Sequence, residues 1–286
     1  PMTILAIVYG FIVPALVTAA MLFGWQRLVP GDWGKRTGGS LALAGGFLAG
    51  YALLNLGEWV PKFYWHWLPY VVLMSLLPAL VMTLGRWGRV FGALLGLATA
   101  IIAIWLLLPT WSKLDELRVA YYAVWIAGTF GIAMSLDPLM RKPVGEKLRP
   151  PLMTTVLTLT FVIATVVIFL SGSAKFRQTA GAGMAAMGSL ILACGFGRSE
   201  NELRDLALPG TLLLTSLLLI AQVDSHSDVP LASYLLVPLA PLALWLVTIK
   251  PIAKLTGWQK WLALLPLPTA VLLGATALAL VMEFGA

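Results

Sequence analysis

Residues 152–170 read LMTTVLTLTFVIATVVIFL, nineteen residues without a charge, a proline or a glycine. A helix rises 1.5 Å per residue, so about 20 apolar residues cross a hydrocarbon core of about 30 Å. The stretch lacks the alternating pattern of a barrel strand, and a helix satisfies its own backbone hydrogen bonds in lipid. It therefore predicts a transmembrane α-helix.

Similar apolar runs lie on both sides of this stretch. Hydrophobic residues make up 60% of the 286 residues and charged residues 11%, with a mean hydropathy of +0.91, whereas soluble domains are about 25% charged. Ten spans are predicted, at about 3–23, 38–57, 68–84, 90–108, 118–136, 152–170, 179–196, 208–223, 232–249 and 261–282. The eighth is the shortest. The first starts at Thr3 without a basic region, so we expect a membrane helix rather than a cleaved signal peptide. The predicted fold is one all-α domain over 1–286, a polytopic transmembrane helix bundle.

The distribution of basic residues predicts the orientation of this bundle. Fourteen of the 19 Lys and Arg residues fall in the odd-numbered loops, while the 12 acidic residues divide evenly between the two sides. Basic residues are retained on the cytoplasmic side. Both chain ends are thus predicted to lie on the non-cytoplasmic side. The membrane is predicted to be a cytoplasmic or inner membrane. The net charge of +7 suits anionic lipids on the inner face and requires no nucleic-acid partner.

Small residues recur at every fourth position in several spans. Such a stripe lets the backbone of a neighbouring helix approach closely. The predicted packing faces are Ala42, Gly46 and Gly50; Gly88, Gly92, Gly96 and Ala100; Ala123, Ala127, Gly131 and Ser135; and Gly181, Ala185, Ser189 and Ala193. These faces also favour self-association or assembly with other membrane subunits.

Two features suggest a pathway through the bundle. Pro238 and Pro241 lie within the ninth span, where each removes a backbone donor, so they predict either a bent packing helix or a broken helix that lines a substrate path. Thr154, Thr158 and Thr165 share a face of the sixth span; threonine hydroxyls usually bond to their own helix or to a neighbour, and otherwise line a path. No ionisable residue lies near the middle of any predicted span, which favours a neutral or lipid-like solute.

The predicted outer face carries the most chemically suggestive residues. Asp224-Ser-His226-Ser-Asp228 follows the eighth span, and an extended backbone would point both carboxylates and the imidazole to one side, as for a cation site or a proton relay. The alternative is a solvated loop in which Asp228 caps the ninth helix. The candidate outer-face cluster comprises Asn55, Glu58, His66, Gln222, Asp224, His226 and Asp228. The aromatic segment 58–67 is predicted to be an interfacial anchor or the lip of a binding site.

No catalytic, nucleotide-binding or metal-binding motif is found in the sequence. The only cysteine, Cys194, forms neither an internal disulfide nor a cysteine-based metal cluster, and no cofactor or metal is predicted. Three functions stay open: a transporter or channel for a neutral or lipid-like solute; a non-catalytic helical subunit or scaffold of a larger membrane complex; and, less favoured, an enzyme at the outer interface that uses Asp224 and His226.

Overall fold

The computed structural model describes residues 4–29, 31–111, 114–141, 150–196, 203, 205–255 and 257–284. Across these residues the protein is all-helical, with no strand, which confirms the predicted fold class. Ten principal helices follow the order of the ten predicted spans. They are α1 Ile4–Leu28, α2 Asp32–Leu53, α3 Tyr64–Val81, α4 Gly85–Leu107, α5 Arg118–Arg141, α6 Pro150–Leu170, α7 Ala174–Phe196, α8 Ala207–Val223, α9 Leu231–Thr248 and α10 Trp258–Glu283.

Seven of the helices in the described part of the chain are long and apolar enough to cross a membrane: α1, α3, α4, α5, α6, α9 and α10. Of the remaining three, α8 is apolar but has only 17 residues. Length and composition therefore support seven crossings, and ten crossings stay a prediction.

The short helix α8 lies at the centre of the bundle. Every residue from Ala207 to Ala221 is buried, and helices α2 to α7 and α9 all pack against it. In its middle, the hydroxyls of Thr129 on α5 and Thr215 on α8 form a hydrogen bond of 3.0 Å. Because neighbouring helices surround α8, its length need not match the thickness of a bilayer.

The even-numbered loops meet at one end of the bundle. Tyr64, at the start of α3, donates a hydrogen bond of 3.0 Å to Asp224 after α8, and its ring contacts Trp111 after α4. The His226 N–H donates to the Ser171 carbonyl after α6 at 3.2 Å. We call this end the outer end and the opposite end the inner end, after the sides predicted from charge.

The bounds of α2 differ from the predicted span 38–57. The helix begins at Asp32, because its charged first turn continues the helix beyond the apolar run. It ends at Leu53, and Asn55 adopts a positive φ of 49°, a left-handed conformation that asparagine tolerates well at the end of a helix. Residues 54–57 are therefore not part of the helix.

Helix α2 packs closely through its small-residue face, as predicted. A Cβ atom on Gly46 would lie 2.6 Å from the Pro14 carbonyl oxygen of α1, and one on Gly50 would lie 2.7 Å from the Cβ of Ala182 on α7. Helices α1, α2 and α7 therefore approach one another to a distance at which only glycine fits at these two positions.

Most of the predicted small-residue face of α5 is open, but its last residue, Ser135, contacts α9, because the Ser135 carbonyl accepts a hydrogen bond of 3.0 Å from the Trp245 indole N–H. Ala123, Ala127 and Gly131 are exposed, and a Cβ atom on Gly131 would meet nothing within 4 Å. The prediction of packing is wrong for Ala123, Ala127 and Gly131, because α5 turns its larger residues Trp125, Ile132 and Leu136 inward instead.

Candidate functional site

The predicted outer-face cluster divides into separate local units. Asp224 accepts the hydrogen bond from the Tyr64 hydroxyl, while Gln222 donates through Nε2 to the Tyr121 hydroxyl at 2.9 Å. The Gln222 Oε1 atom is buried without a hydrogen-bond partner among the described residues. Both side chains thus join the end of α8 to aromatic residues on neighbouring helices.

Glu58, Lys62 and His66 form a second unit at the same end. The carboxylate of Glu58 pairs with the Lys62 ammonium at 2.6 Å, and this hydrogen bond holds the pKa of Glu58 below its usual value. The Lys62 backbone N–H donates to Nδ1 of His66 at 3.3 Å, and the His66 ring is buried. This geometry fixes the aromatic segment against the bundle.

Asn55, His226 and Asp228 are exposed and lie apart from these bonds. The backbone after α8 turns rather than extends, since Asp224 closes the helix by donating to the Ile220 carbonyl. Among the described residues, no group of three or more His, Cys, Asp and Glu side chains could hold a metal ion. The expected cap by Asp228 is wrong, because Pro230 precedes the first residue of α9 and no side chain caps it.

A cleft lies between α2, α3, α7 and α8 near this cluster, and we call it the outer cleft. Its free space is about 260 Å³ including the open mouth, and its interior has room for about one water molecule. Its lining residues are Tyr51, Leu56, Trp65, Leu68, Lys175, Phe176, Thr179, Leu217 and Ile220.

Lys175 is the charged residue of the outer cleft, and sequence reasoning did not identify it. Its ammonium lies 5.0 Å from the centre of the Trp65 ring, and the carboxylates of Asp224 and Glu58 are its acidic neighbours. Those carboxylates bind Tyr64 and Lys62 directly. Lys175 therefore has no carboxylate within ion-pairing distance among the described residues.

Two further donors of the outer cleft lack acceptors. The Tyr51 hydroxyl and the Trp65 Nε1–H are buried with no hydrogen-bond partner in the described structure. The Thr179 hydroxyl, by contrast, donates to the Lys175 carbonyl at 2.9 Å. A buried donor without an acceptor costs about 1–3 kcal/mol.

The threonines of α6 differ in their hydrogen bonding. The Thr165 hydroxyl donates to the Phe161 carbonyl of its own helix at 2.8 Å, and Thr154 is buried and has a polar partner. The Thr158 hydroxyl is buried without a partner among the described residues. Of the three predicted pathway threonines, Thr158 thus retains bonding capacity for a solute.

Helix α9 changes its geometry at the two predicted prolines. Residues Leu231–Leu239 form an α-helix, and Ala240–Thr248 continue as a 3₁₀-helix. Pro238 and Pro241 flank the change and are both buried. Each lacks an N–H group, which removes two α-helical hydrogen bonds near one point. Runs of 3₁₀-helix longer than three or four residues are uncommon and often mark a hinge.

A buried carboxylate joins α2 to the start of α8 at the inner end. Asp205 accepts hydrogen bonds from the backbone N–H and the hydroxyl of Ser40, at 2.9 and 2.5 Å. Its other oxygen, Oδ1, has no hydrogen-bond partner in the described chain. Burial raises the pKa of Asp205 to about 6 against the opposing effect of the Ser40 bonds. The side chain of Cys194 lies outside the described residues.

The class that this fold defines is an all-helical protein whose apolar helices fit an integral membrane protein. Comparison of the chain with protein-family models, curated proteins and solved structures finds no match.

Proposed function

We propose that the protein is a transporter or channel for a neutral or lipid-like solute. The observation that carries this proposal is the change from α-helix to 3₁₀-helix within α9. Interrupted helices are the device with which many transporters expose backbone polar groups along a substrate path. The interruption also provides a point about which the inner half of α9 can move.

The helices around this break supply polar groups without charge. Helices α6, α8 and α9 pack against one another, and each carries a buried hydroxyl without a partner in the described structure: Thr158, Ser216 and Ser233. A solute that passes between these helices would satisfy the hydroxyls by hydrogen bonding. Because the apolar runs 152–170, 208–223 and 232–249, which carry these hydroxyls, contain no Asp, Glu, Lys, Arg or His, a neutral or weakly polar solute suits this path better than an ion.

A labelling experiment tests whether this path opens. We expect Ser216→Cys and Thr158→Cys, each in a Cys194→Ala background, to react in the membrane with a water-soluble thiosulfonate reagent, because transport requires transient access to the centre of the bundle. The matched control is Ser75→Cys, since Ser75 is as buried as Ser216 but its hydroxyl donates to the Val72 carbonyl at 2.6 Å. Equal resistance of all three variants would contradict the proposal.

Flux across proteoliposomes supplies the functional half of the same test. The probe is phosphatidylcholine labelled with nitrobenzoxadiazole, whose movement between leaflets is followed by dithionite quenching. We expect the double variant Pro238→Ala, Pro241→Ala to slow any flux that the wild type supports, because two restored donors favour a continuous α-helix. Pro266→Ala is the control, since Pro266 is exposed and begins the second helical segment of α10, Pro266–Phe284, and proline is tolerated at the first position of a helix.

The exposed small-residue face of α5 favours a second candidate, a non-catalytic subunit of a larger membrane complex. Ala127, Gly128 and Gly131 leave room beside α5 for the close approach of a further helix. We expect native mass spectrometry in mild detergent to find a stoichiometric partner with the wild type and to lose that partner with Gly131→Leu.

The control for this prediction is Gly274→Leu on α10. Gly274 is likewise an exposed helical glycine whose Cβ atom would meet nothing within 4 Å, so the two substitutions differ mainly in location. A wild-type protein that always runs alone, or a partner lost equally with both variants, would contradict the subunit interpretation.

A further inference from the structure

The ring of His66 accepts a hydrogen bond that only its neutral form can accept. The backbone N–H of Lys62 donates to Nδ1 of the ring at 3.3 Å, so the proton of the neutral ring lies on Nε2. Protonation of the ring would place a second N–H on Nδ1, facing the N–H of Lys62. The turn from Lys62 to His66 therefore loses a hydrogen bond and gains a repulsion when the ring becomes charged.

Neighbouring rings and backbone enclose this imidazole. His66 is only 3% exposed, and the rings of Phe63 and Trp65 stand nearly perpendicular to it at centroid distances of 5.4 and 5.5 Å. A Cβ atom on Gly57 would lie 2.9 Å from Cδ2 of His66, so the backbone at Gly57 also lies against the ring. A charged ring would have little water around it here, and a buried charge without a partner is costly.

The charged groups around the imidazole do not supply such a partner. Glu58 and Lys62 face it from its own segment, and Lys175 faces it from α7. The acid among them, Glu58, is already paired with the Lys62 ammonium at 2.6 Å, while Lys62 and Lys175 repel a cationic ring. From α2, the hydroxyl of Tyr51 lies beside the same glycine, Gly57, and carries no charge. The neutral ring is therefore the form that suits this environment.

We propose that His66 is a pH-sensitive switch, which holds the aromatic segment 58–67 against the outer end of the bundle when neutral and loosens it when protonated. Histidine is the side chain whose ordinary titration falls between pH 5 and pH 8, so the signal is acidification at the outer end. Trp65 lines the outer cleft, and a loosened segment therefore alters that cleft as well. The switch does not depend on transport: its failure leaves the path through α9 unaffected.

Hydrogen–deuterium exchange of the full chain in mild detergent tests this switch. The exchange is compared at pH 7.5 and pH 4.5, after correction for the intrinsic effect of pH on amide exchange. In the peptide that covers residues 58–67, we expect the amide of Lys62 to exchange about fivefold faster at pH 4.5, as for the loss of one hydrogen bond. Equal corrected exchange at the two pH values would overturn the proposal.

Variants of the two histidines separate the switch from a general effect of acid. His66→Asn offers an acceptor, Oδ1, near the position of Nδ1 and does not titrate, so the Lys62 amide should stay protected at both pH values. His66→Leu lacks an acceptor, and its exchange at pH 7.5 should already match that of the acidified wild type. His226→Asn is the control, because His226 is the other histidine of the chain and is exposed.

Three outcomes would contradict this assignment. An acid response that persists in His66→Asn would place the titrating group elsewhere. An acid response that disappears in His226→Asn would assign it to the exposed histidine. A Lys62 amide as protected in His66→Leu as in the wild type at pH 7.5 would show that the bond to Nδ1 does not hold the segment.

Discussion

Replacing Gly46 by alanine is expected to destabilise the protein by about 1–3 kcal/mol, the usual cost of overpacking. The new Cβ atom would lie 1.8 Å from Thr18 Oγ1 and 2.6 Å from the Pro14 carbonyl oxygen. The Thr18 hydroxyl donates to that same carbonyl at 2.8 Å, so rotating it away breaks a buried bond. The carbonyl is part of the α1 backbone and can move only if the whole helix shifts. The melting temperature of the purified protein in mild detergent measures the effect.

Two variants show whether the loss comes from the contact between α1 and α2. Gly128→Ala should be neutral or stabilise by up to about 1 kcal/mol, the ordinary gain in helix propensity, because nothing lies within 4 Å of its Cβ position. Thr18→Ala in the Gly46→Ala background should recover part of the loss by removing the nearest atom. If Gly46→Ala and Gly128→Ala melt alike, the close packing of α1 and α2 does not contribute to stability.

The helices of this bundle could be predicted because their signal is local. An apolar run with polar flanks identifies a helix without knowledge of its neighbours, and each of the ten predicted runs overlaps a helix, although bounds such as those of α2 differ. The central position of α8 could not be predicted, since burial on every side and exposure to lipid both demand the same apolar composition. For the same reason, the sequence did not distinguish the buried small-residue face of α2 from the exposed one of α5.

The outer cleft was missed because its polar residues come from distant parts of the chain. Tyr51 lies in the last turn of α2, and Trp65 and Lys175 lie in the first turns of α3 and α7. No spacing rule relates such positions. The predicted cluster contained acids and histidines from the same end, yet their actual partners are Tyr64, Tyr121 and Lys62. The aromatic segment 58–67 is predicted from sequence as an interfacial anchor or the lip of a binding site, whereas the hydrogen bond from its Tyr64 hydroxyl to Asp224 depends on the three-dimensional fold.

Asp205→Asn is expected to stabilise the protein at pH 7.5 by up to about 3 kcal/mol, the free energy that corresponds to a pKa raised from 3.8 to about 6. Burial favours the protonated carboxyl in the folded state, whereas the unfolded chain ionises at the ordinary value. Between about pH 4 and pH 6 the folded state therefore binds more protons than the unfolded state, and stability falls as the pH rises through this window. An asparagine carries no charge at any pH and can still accept the hydrogen bonds from Ser40.

The pH dependence separates this electrostatic effect from a change in packing. The gain from Asp205→Asn should shrink towards zero at pH 4, where the wild-type carboxyl is protonated too, and melting temperatures at pH 4 and pH 7.5 measure the difference. Ser40→Ala removes a donor that favours the ionised form of Asp205. The pKa of Asp205 in the folded variant is therefore higher, and the fall in stability with pH should extend to higher pH than in the wild type. A less stable Asp205→Asn protein at pH 7.5 would mean that the ionised carboxylate is stabilised in the folded protein. The negative charge of Asp205 would then stabilise the contact between α2 and the start of α8 instead of destabilising the folded protein.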